Sequence, residues 1–219
     1  MSSAFHFDSL VWDWIIAIYL FLAGMSAGAV IVGLYLKRKV IEGDASQNGI
    51  MKAIAWLAPF GIIVGLLILI FHLTKPLDFW KIMIYYNPTS VMSMGVILFQ
   101  VYMAVLFVWI GIIFREVIVG LLGGKLSFVD GLLQWFKRYE NGIELFLGFL
   151  AIALAAYTGF LLSALKTYPM LNNPVLPILF LFSSLSSGAA ACLMFGILVF
   201  KEDVHSSSVA WIHGFERLW

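Results

Sequence analysis

The chain has 219 residues, of which 63% are hydrophobic and only 11% are charged, and its mean hydropathy is +1.01. A water-soluble domain of this size cannot bury that much apolar surface, so the composition excludes a soluble protein and predicts an integral membrane protein. The formal net charge of +1 leaves no basic surplus for phosphate groups, which excludes a nucleic-acid partner and leaves membrane lipid as the expected surrounding.

Five apolar stretches are long enough to cross a bilayer, which takes about 20 residues of helix. Backbone polar groups in hydrocarbon must be satisfied within their own segment, so we predict an all-α fold. The first ten residues carry neither a basic region nor a clear cleavage site, and no cleaved signal peptide is expected. The predicted spans are Ile15–Leu36, Ala53–Leu73, Val91–Phe114, Leu145–Leu165 and Val175–Phe200.

Positive charge predicts the orientation of these spans. Nine Lys and Arg residues lie in the links that follow spans 1, 3 and 5, whereas three lie on the opposite side and Arg217 lies in the tail. Links rich in Lys and Arg stay in the cytoplasm, so the N-terminus is predicted to be periplasmic. The segment Glu116–Tyr139 is apolar but interrupted by glycines, and we predict a cytoplasmic interfacial helix or a re-entrant stretch there.

Small residues at equivalent positions of spans 1 and 5 indicate an internal repeat. A shift of 160 residues places Gly28 on Gly188 and Gly24 on Ser184. Small residues one helical turn apart allow a neighbouring helix to approach closely, so each stripe is predicted to be a packing seam. The alternative is coincidence, because glycine and serine are frequent in membrane helices.

The repeat predicts two parts of the chain. Residues 1–170 would form a first four-helix bundle that contains the ligand site, and residues 171–219 would begin a second bundle with helix 5 and a partial helix 6. The final segment, SSSVAWIHGFERLW, is too short to span a membrane. We therefore expect either a truncated product that lacks helices 6 to 8 or a second bundle completed by other subunits.

Polar side chains gather near the predicted outer ends of spans 1 to 4. With a rise of about 1.5 Å per residue, Tyr19 lies about 6 Å inside span 1 and Tyr157 about 12 Å inside span 4. A ligand with an apolar tail and a polar head would fit there, because such side chains donate hydrogen bonds and relay protons to water. The candidate site residues are Asp13, Tyr19, His72, Lys75, Asp78, Ser93 and Tyr157.

These candidates also have simpler interpretations. Tyr19 could be an interfacial tyrosine, His72 could end a helix near the headgroups, and Lys75 could anchor the chain or pair with Asp78. Haem is not expected, because a membrane b-type haem usually takes paired histidines and only His72 of the four borders a span on the outer side. The single cysteine, Cys192, cannot hold an iron–sulfur cluster or a structural zinc ion.

Four stretches of sequence carry a family resemblance. They are YLFLAGMSAGA in span 1, HLTKPLDFW leaving span 2, NPTSVMSMG entering span 3, and YTGFLLSALKTYPMLNNPVLPILFLFSSLSSGAA across spans 4 and 5. Together they resemble the NrfD/polysulfide reductase family of membrane subunits over nearly the whole chain. The resemblance implies a haem-free, quinone-binding subunit with eight helices in two bundles, and an outer quinone site in the first bundle that carries over to Tyr19 and Tyr157.

The resemblance also implies partners and a role. Members of the family exchange electrons with a periplasmic ferredoxin-like [4Fe–4S] subunit, which connects to a catalytic subunit. We therefore predict a bacterial inner-membrane subunit that exchanges electrons with a quinone, with menaquinone expected and no metal in this chain. The quinone would contact Tyr19, Tyr157, His72, Lys75 and Ser93, while His72 together with Asp13 or Asp78 would handle protons.

Two other functions remain open at this point. A transporter would need a site near the middle of the membrane, where Gln100 and Tyr102 are the obvious candidates. A purely structural membrane anchor would need no ligand site at all.

Overall fold

The structure, a computed structural model, describes residues 14–41, 43–72, 84, 91–121, 127–163 and 173–216. The regular elements within these ranges are all helical, and a short 3-10 helix at Ala45–Gln47 lies between the first two α-helices. The helices are α1 (Trp14–Lys39), α2 (Gly49–His72), α3 (Val91–Ile113), α4 (Arg115–Leu121), α5 (Ser127–Lys137), α6 (Glu140–Ser163), α7 (Leu176–Leu198) and α8 (Ser207–Glu216).

In this part of the chain, five helices are long and apolar enough to cross a membrane, namely α1, α2, α3, α6 and α7. The predicted all-α membrane fold is therefore confirmed. Three helices extend into polar sequence beyond the predicted spans: α1 continues to Lys39, α2 begins at Gly49 and α6 begins at Glu140.

Helix α1 lies at the centre of the bundle and packs against α2, α6 and α7. Helix α7 also contacts α2 and α6, and α3 packs mainly against α6. The division of the chain at residue 170 stays a prediction. Helix α7, which follows that residue, packs directly against three helices that precede it. We call the end of the bundle near Tyr19 the Tyr19 end, and the opposite end the Lys37 end.

The two predicted packing seams, in α1 and α7, face each other. A Cβ atom placed on Gly28 would lie 1.8 Å from the backbone oxygen of Ser184, and one on Gly188 would lie 2.3 Å from the backbone nitrogen of Ala29. Such distances leave no room for a methyl group, so the two backbones touch through their glycines. The prediction of close helix approach at these stripes is confirmed. The stripe in α1 packs against the stripe in α7.

Contacts between residues 160 positions apart support the predicted repeat. Gly28 meets Gly188 in the seam, and the Asn48 side-chain amide donates a hydrogen bond of 2.9 Å to the Ser208 hydroxyl. The predicted repeat makes the two residues of each of these contacts equivalent. The repeat itself stays a prediction, in which α1 and the start of α2 correspond to α7 and the start of α8.

A charge cluster joins α1 to α6 at the Lys37 end. Lys37 donates a hydrogen bond of 2.6 Å to one carboxylate oxygen of Glu144, and Arg38 donates one of 2.8 Å to the other. Lys37 also bonds Glu140 in the first turn of α6. The Glu144 side chain is only 4% exposed, so its charge is balanced almost entirely by these two cations.

The predicted interfacial segment forms two short helices, α4 and α5. Helix α5 turns Leu133 toward Gly111 of α3, while Leu132 and Trp135 stay exposed. Arg115 donates a hydrogen bond of 2.7 Å to Asp130, which fastens α5 to the start of α4. This arrangement is typical of a helix that lies in the plane of the membrane interface.

We expect this attachment of α5 to depend on pH. The hydrogen bond from Arg115 is the main cause that holds the pKa of Asp130 below its ordinary value of 3.8. A lowered carboxyl pKa contributes stability above the unfolded value, and that stability is lost as the pH falls through the folded pKa. The protection of the α5 backbone amides from hydrogen exchange, corrected for the intrinsic exchange rate at each pH, should therefore fall below about pH 3.8. Asp130→Asn should remove this dependence, and an unchanged pH profile in that variant would contradict the assignment.

Candidate functional site

Tyr19 lies in a small apolar cluster at the Tyr19 end of the bundle. Its side chain is 6% exposed and groups with Leu20 and Leu161, which are also buried. Tyr157 packs against the same cluster from α6. Two tyrosines predicted from separate spans are therefore brought together by the fold, each with most of its ring away from solvent.

Close helix packing places these tyrosines. A Cβ on Gly65 of α2 would lie 3.5 Å from the backbone oxygen of Tyr19, so α2 approaches α1 closely at this level. A Cβ on Gly159 of α6 would lie 2.5 Å from the Cα of Pro177, which brings the start of α7 against the end of α6. Small residues in α2 and α6 thus hold the helices that carry the site.

The Tyr157 ring sits over Gly95 of α3. A Cβ on Gly95 would lie 1.9 Å from the Tyr157 hydroxyl oxygen and 2.1 Å from Cζ. One turn further along α3, Phe99 meets the ring edge to face, with centroids 6.4 Å apart and planes at 89°. Helix α3 therefore fixes the phenol from two successive turns.

The structure describes only some of the other predicted site residues. Ser93 is buried on α3, two residues before Gly95, and its part in the site stays a prediction. His72 is the last residue of α2, about 4.5 Å along the axis from Leu69, which packs on the tyrosine cluster. The His72 side chain and the residues Asp13, Lys75 and Asp78 lie outside the described part of the chain.

A second polar group lies deeper in the bundle, beneath the tyrosines. The Ser26 hydroxyl donates a hydrogen bond of 2.8 Å to the Ala58 carbonyl and lies 3.3 Å from the Tyr102 hydroxyl. Ser26 is seven residues, or about 10.5 Å, below Tyr19. Tyr102 is 0% exposed, so this group ties α1, α2 and α3 together and offers no accessible face to a transported solute at Tyr102.

The residues around Tyr19 have the composition expected of a site for a partly apolar ligand. Two phenol groups next to leucine and isoleucine side chains make a mostly apolar lining with a few hydrogen-bonding groups, which is the usual composition of a small-molecule site. Within the described ranges, no three His, Cys, Asp or Glu side chains come close enough to hold a metal ion. The two phenol hydroxyls are groups that can donate and accept hydrogen bonds.

Sequence reasoning missed Gly95, the buried state of Glu144 and the role of Ser26. Gly95 belongs to the stretch NPTSVMSMG, whose small residue could have suggested a close contact but not its partner. Ser26 lies between Gly24 and Gly28 in α1, where its small side chain indicates only close packing. Its hydrogen bonds depend on how α2 and α3 are rotated about α1, which the sequence pattern does not specify.

Comparison with known proteins adds an independent finding. The sequence model of the family described as "Polysulphide reductase, NrfD" matches residues 2–219. The chain is 48% identical to protein NrfD of Escherichia coli over 218 residues, which is 98% of this chain and 69% of that protein. It is 40% identical to a polysulfide reductase chain of Wolinella succinogenes over 211 residues, which is 96% of this chain and 66% of that protein.

A more distant relative and the solved structures complete the comparison. A selenate reductase subunit of Mesobacillus selenatarsenatis is 27% identical over 214 residues, which is 88% of this chain and 49% of that protein. No solved structure matches the chain. The family match over nearly the whole sequence and five membrane-spanning helices agree with each other. The chain therefore belongs to the NrfD/polysulfide reductase family of multi-pass membrane proteins.

Proposed function

We propose that this protein is the membrane subunit of a respiratory reductase complex and exchanges electrons with a quinone at the Tyr19 end of its bundle. The observation that carries the proposal is the meeting of Tyr19 and Tyr157 in one buried apolar cluster. Two relatives are named as parts of polysulfide and selenate reductases, which supports membership of such a complex.

The two phenols suit a quinone head group. A quinone has an apolar tail and two carbonyl oxygens, and each tyrosine hydroxyl can donate a hydrogen bond to one of them. The leucine side chains of the cluster would pack against the ring, with Ser93 and Lys75 at its edge. When bound, the quinone supplies the redox chemistry, because it takes up or releases two electrons together with two protons.

Protons must reach water from this site. We propose that His72 relays them, with Asp13 or Asp78 as the next acceptor. An imidazole that titrates near neutral pH suits this step. His72 is the last residue of α2, which would put it near the membrane surface, where such a relay needs it. The proposal requires no proton path through the buried Ser26 and Tyr102 hydroxyls.

The proposed scheme needs partner subunits, because it assigns no redox centre to this chain. Electrons would pass to a periplasmic ferredoxin-like [4Fe–4S] subunit docked on the loops at the Tyr19 end, and from there to a catalytic subunit. The excess of Lys and Arg in the opposite links supports a periplasmic N-terminus in a bacterial inner membrane. Co-purification of an iron–sulfur subunit with the tagged protein would test this assembly.

Replacing Tyr19 or Tyr157 with phenylalanine should raise the quinol KM about tenfold, because each change removes one hydrogen bond to the head group. The measurement is quinol-dependent reduction by membranes that contain the assembled complex. Tyr35→Phe is the matched control, since Tyr35 is on the same helix as Tyr19 but stacks on Trp211 near the Lys37 end. A wild-type KM in both site variants would favour a structural anchor and reject the proposed site.

A further inference from the structure

We infer that Gly95 is a positioning residue for the quinone site, because its missing side chain makes the slot in α3 that holds the Tyr157 phenol beside Tyr19. This inference rests on the proposed function, since it assigns Gly95 an effect on quinone affinity through Tyr157. It also makes a structural claim about the position of the phenol that can be tested without a quinone.

The slot is narrow at the hydroxyl end of the ring. A Cβ on Gly95 would lie 1.9 Å from Oη, 2.1 Å from Cζ and 2.7 Å from Cε1 of Tyr157. Real Cβ atoms do not approach other heavy atoms below 3.0 Å, so an alanine at this position would displace the phenol. The atoms that would have to move include the Tyr157 hydroxyl, which is the proposed hydrogen-bond donor to the quinone.

The ring has little freedom to move along α3. Phe99 meets it edge to face one turn away, and Tyr157 also packs against the cluster of Tyr19, Leu20 and Leu161. Displacement by a methyl group at position 95 must therefore change the relation of the Tyr157 hydroxyl to Tyr19. A side chain at position 95 would thus affect the position of the Tyr157 hydroxyl, in addition to the packing of α3 against α6.

Gly111 provides a matched control on the same helix. A Cβ there would lie 2.9 Å from Cδ2 of Leu133, the far end of a flexible side chain in α5. Gly111 is sixteen residues, or about 24 Å, further along α3 and belongs to the Lys37 end. Gly111→Ala therefore adds the same methyl group to α3 without touching the tyrosine cluster.

The first measurement is the fluorine NMR signal of 3-fluorotyrosine placed at position 157 in the full chain, without a quinone. Gly95→Ala should shift this signal, whereas Gly111→Ala should leave it in place. The second measurement is the quinol KM of the assembled complex. Gly95→Ala should raise it about tenfold, the same increase that is expected for Tyr157→Phe, with a smaller change in kcat. In the Tyr157→Ala background, Gly95→Ala should change the KM by less than about twofold.

The outcomes separate this inference from the proposed function. An unmoved fluorine signal, or a raised KM in Tyr157→Phe together with a wild-type KM in Gly95→Ala, would overturn the role of Gly95. A moved signal with a wild-type KM in both variants would instead reject Tyr157 as a quinone ligand, and the role of Gly95 in quinone affinity with it. The Gly95→Ala protein could fail to accumulate in the membrane. In that case the double variant Gly95→Ala/Tyr157→Ala should accumulate normally, because the clashing phenol is gone. A double variant that also fails to accumulate would overturn the inference.

Discussion

Replacing Gly28 with alanine is expected to lower the free energy of unfolding by about 3 kcal/mol, the upper part of the range for overpacking a tightly packed interior. The added methyl group would lie 1.8 Å from the backbone oxygen of Ser184 and 2.5 Å from its carbonyl carbon. Backbone atoms of a helix cannot rotate away from the added methyl group as a side chain can. Relief therefore requires α7 to move away from α1 along the contact between them.

Reversible unfolding in mixed micelles would measure this loss for Gly28→Ala and for its counterpart Gly188→Ala. Gly142→Ala is the control, because a Cβ there meets nothing within 4 Å and α6 should tolerate or gain from it. The double variant of Gly28 and Gly188 should lose less than the sum of the two single changes, because one separation of the helices accommodates both methyl groups. Wild-type stability in Gly28→Ala would show that the two backbones do not touch at this point.

Replacing Glu144 with glutamine is expected to cost about 2–3 kcal/mol of stability. The change removes the charge that balances Lys37 and Arg38 and weakens two charge-assisted hydrogen bonds. Removing one partner of a buried ion pair costs about 3–5 kcal/mol. The expected value is smaller here because Arg38 keeps 43% of its side chain exposed and stays partly hydrated.

The matched control for this change is Glu140→Gln. Glu140 bonds the same Lys37 from one turn earlier in α6, but its side chain is 27% exposed. We expect the control to lose less than about 1 kcal/mol, in the range of a solvated pair. Thermal unfolding in detergent would compare the two variants. Equal losses would mean that burial of Glu144 does not decide its contribution.

Most of the fold was accessible from the sequence because hydrocarbon imposes strong rules on composition. Each predicted span coincides with one helix, and the errors lie at the polar ends. Helix α2 begins at Gly49 because the Asn48 side chain accepts hydrogen bonds from the backbone of Ile50 and Met51, and Glu202 accepts one from Gly49. A hydropathy pattern does not register such caps, because it scores the residues concerned only as polar.

The candidate site was accessible only in part. Residue type and depth identified Tyr19 and Tyr157, which the structure brings into one cluster. The same reasoning did not reach Gly95, because the partner of a small residue depends on the rotation of α3 against α6. Nor did it predict the burial of Glu144, since a carboxylate near a helix end has the same sequence pattern whether it faces water or a pair of cations.

The central place of α1 has a consequence for assembly during synthesis. The glycine face of the first spanning helix meets its partner stripe only after another 160 residues have been made, which takes on the order of ten seconds at cellular elongation rates. Until then Gly24 and Gly28 face lipid or an insertion factor. Helix α1 therefore completes its packing only after α7 has been synthesised and inserted.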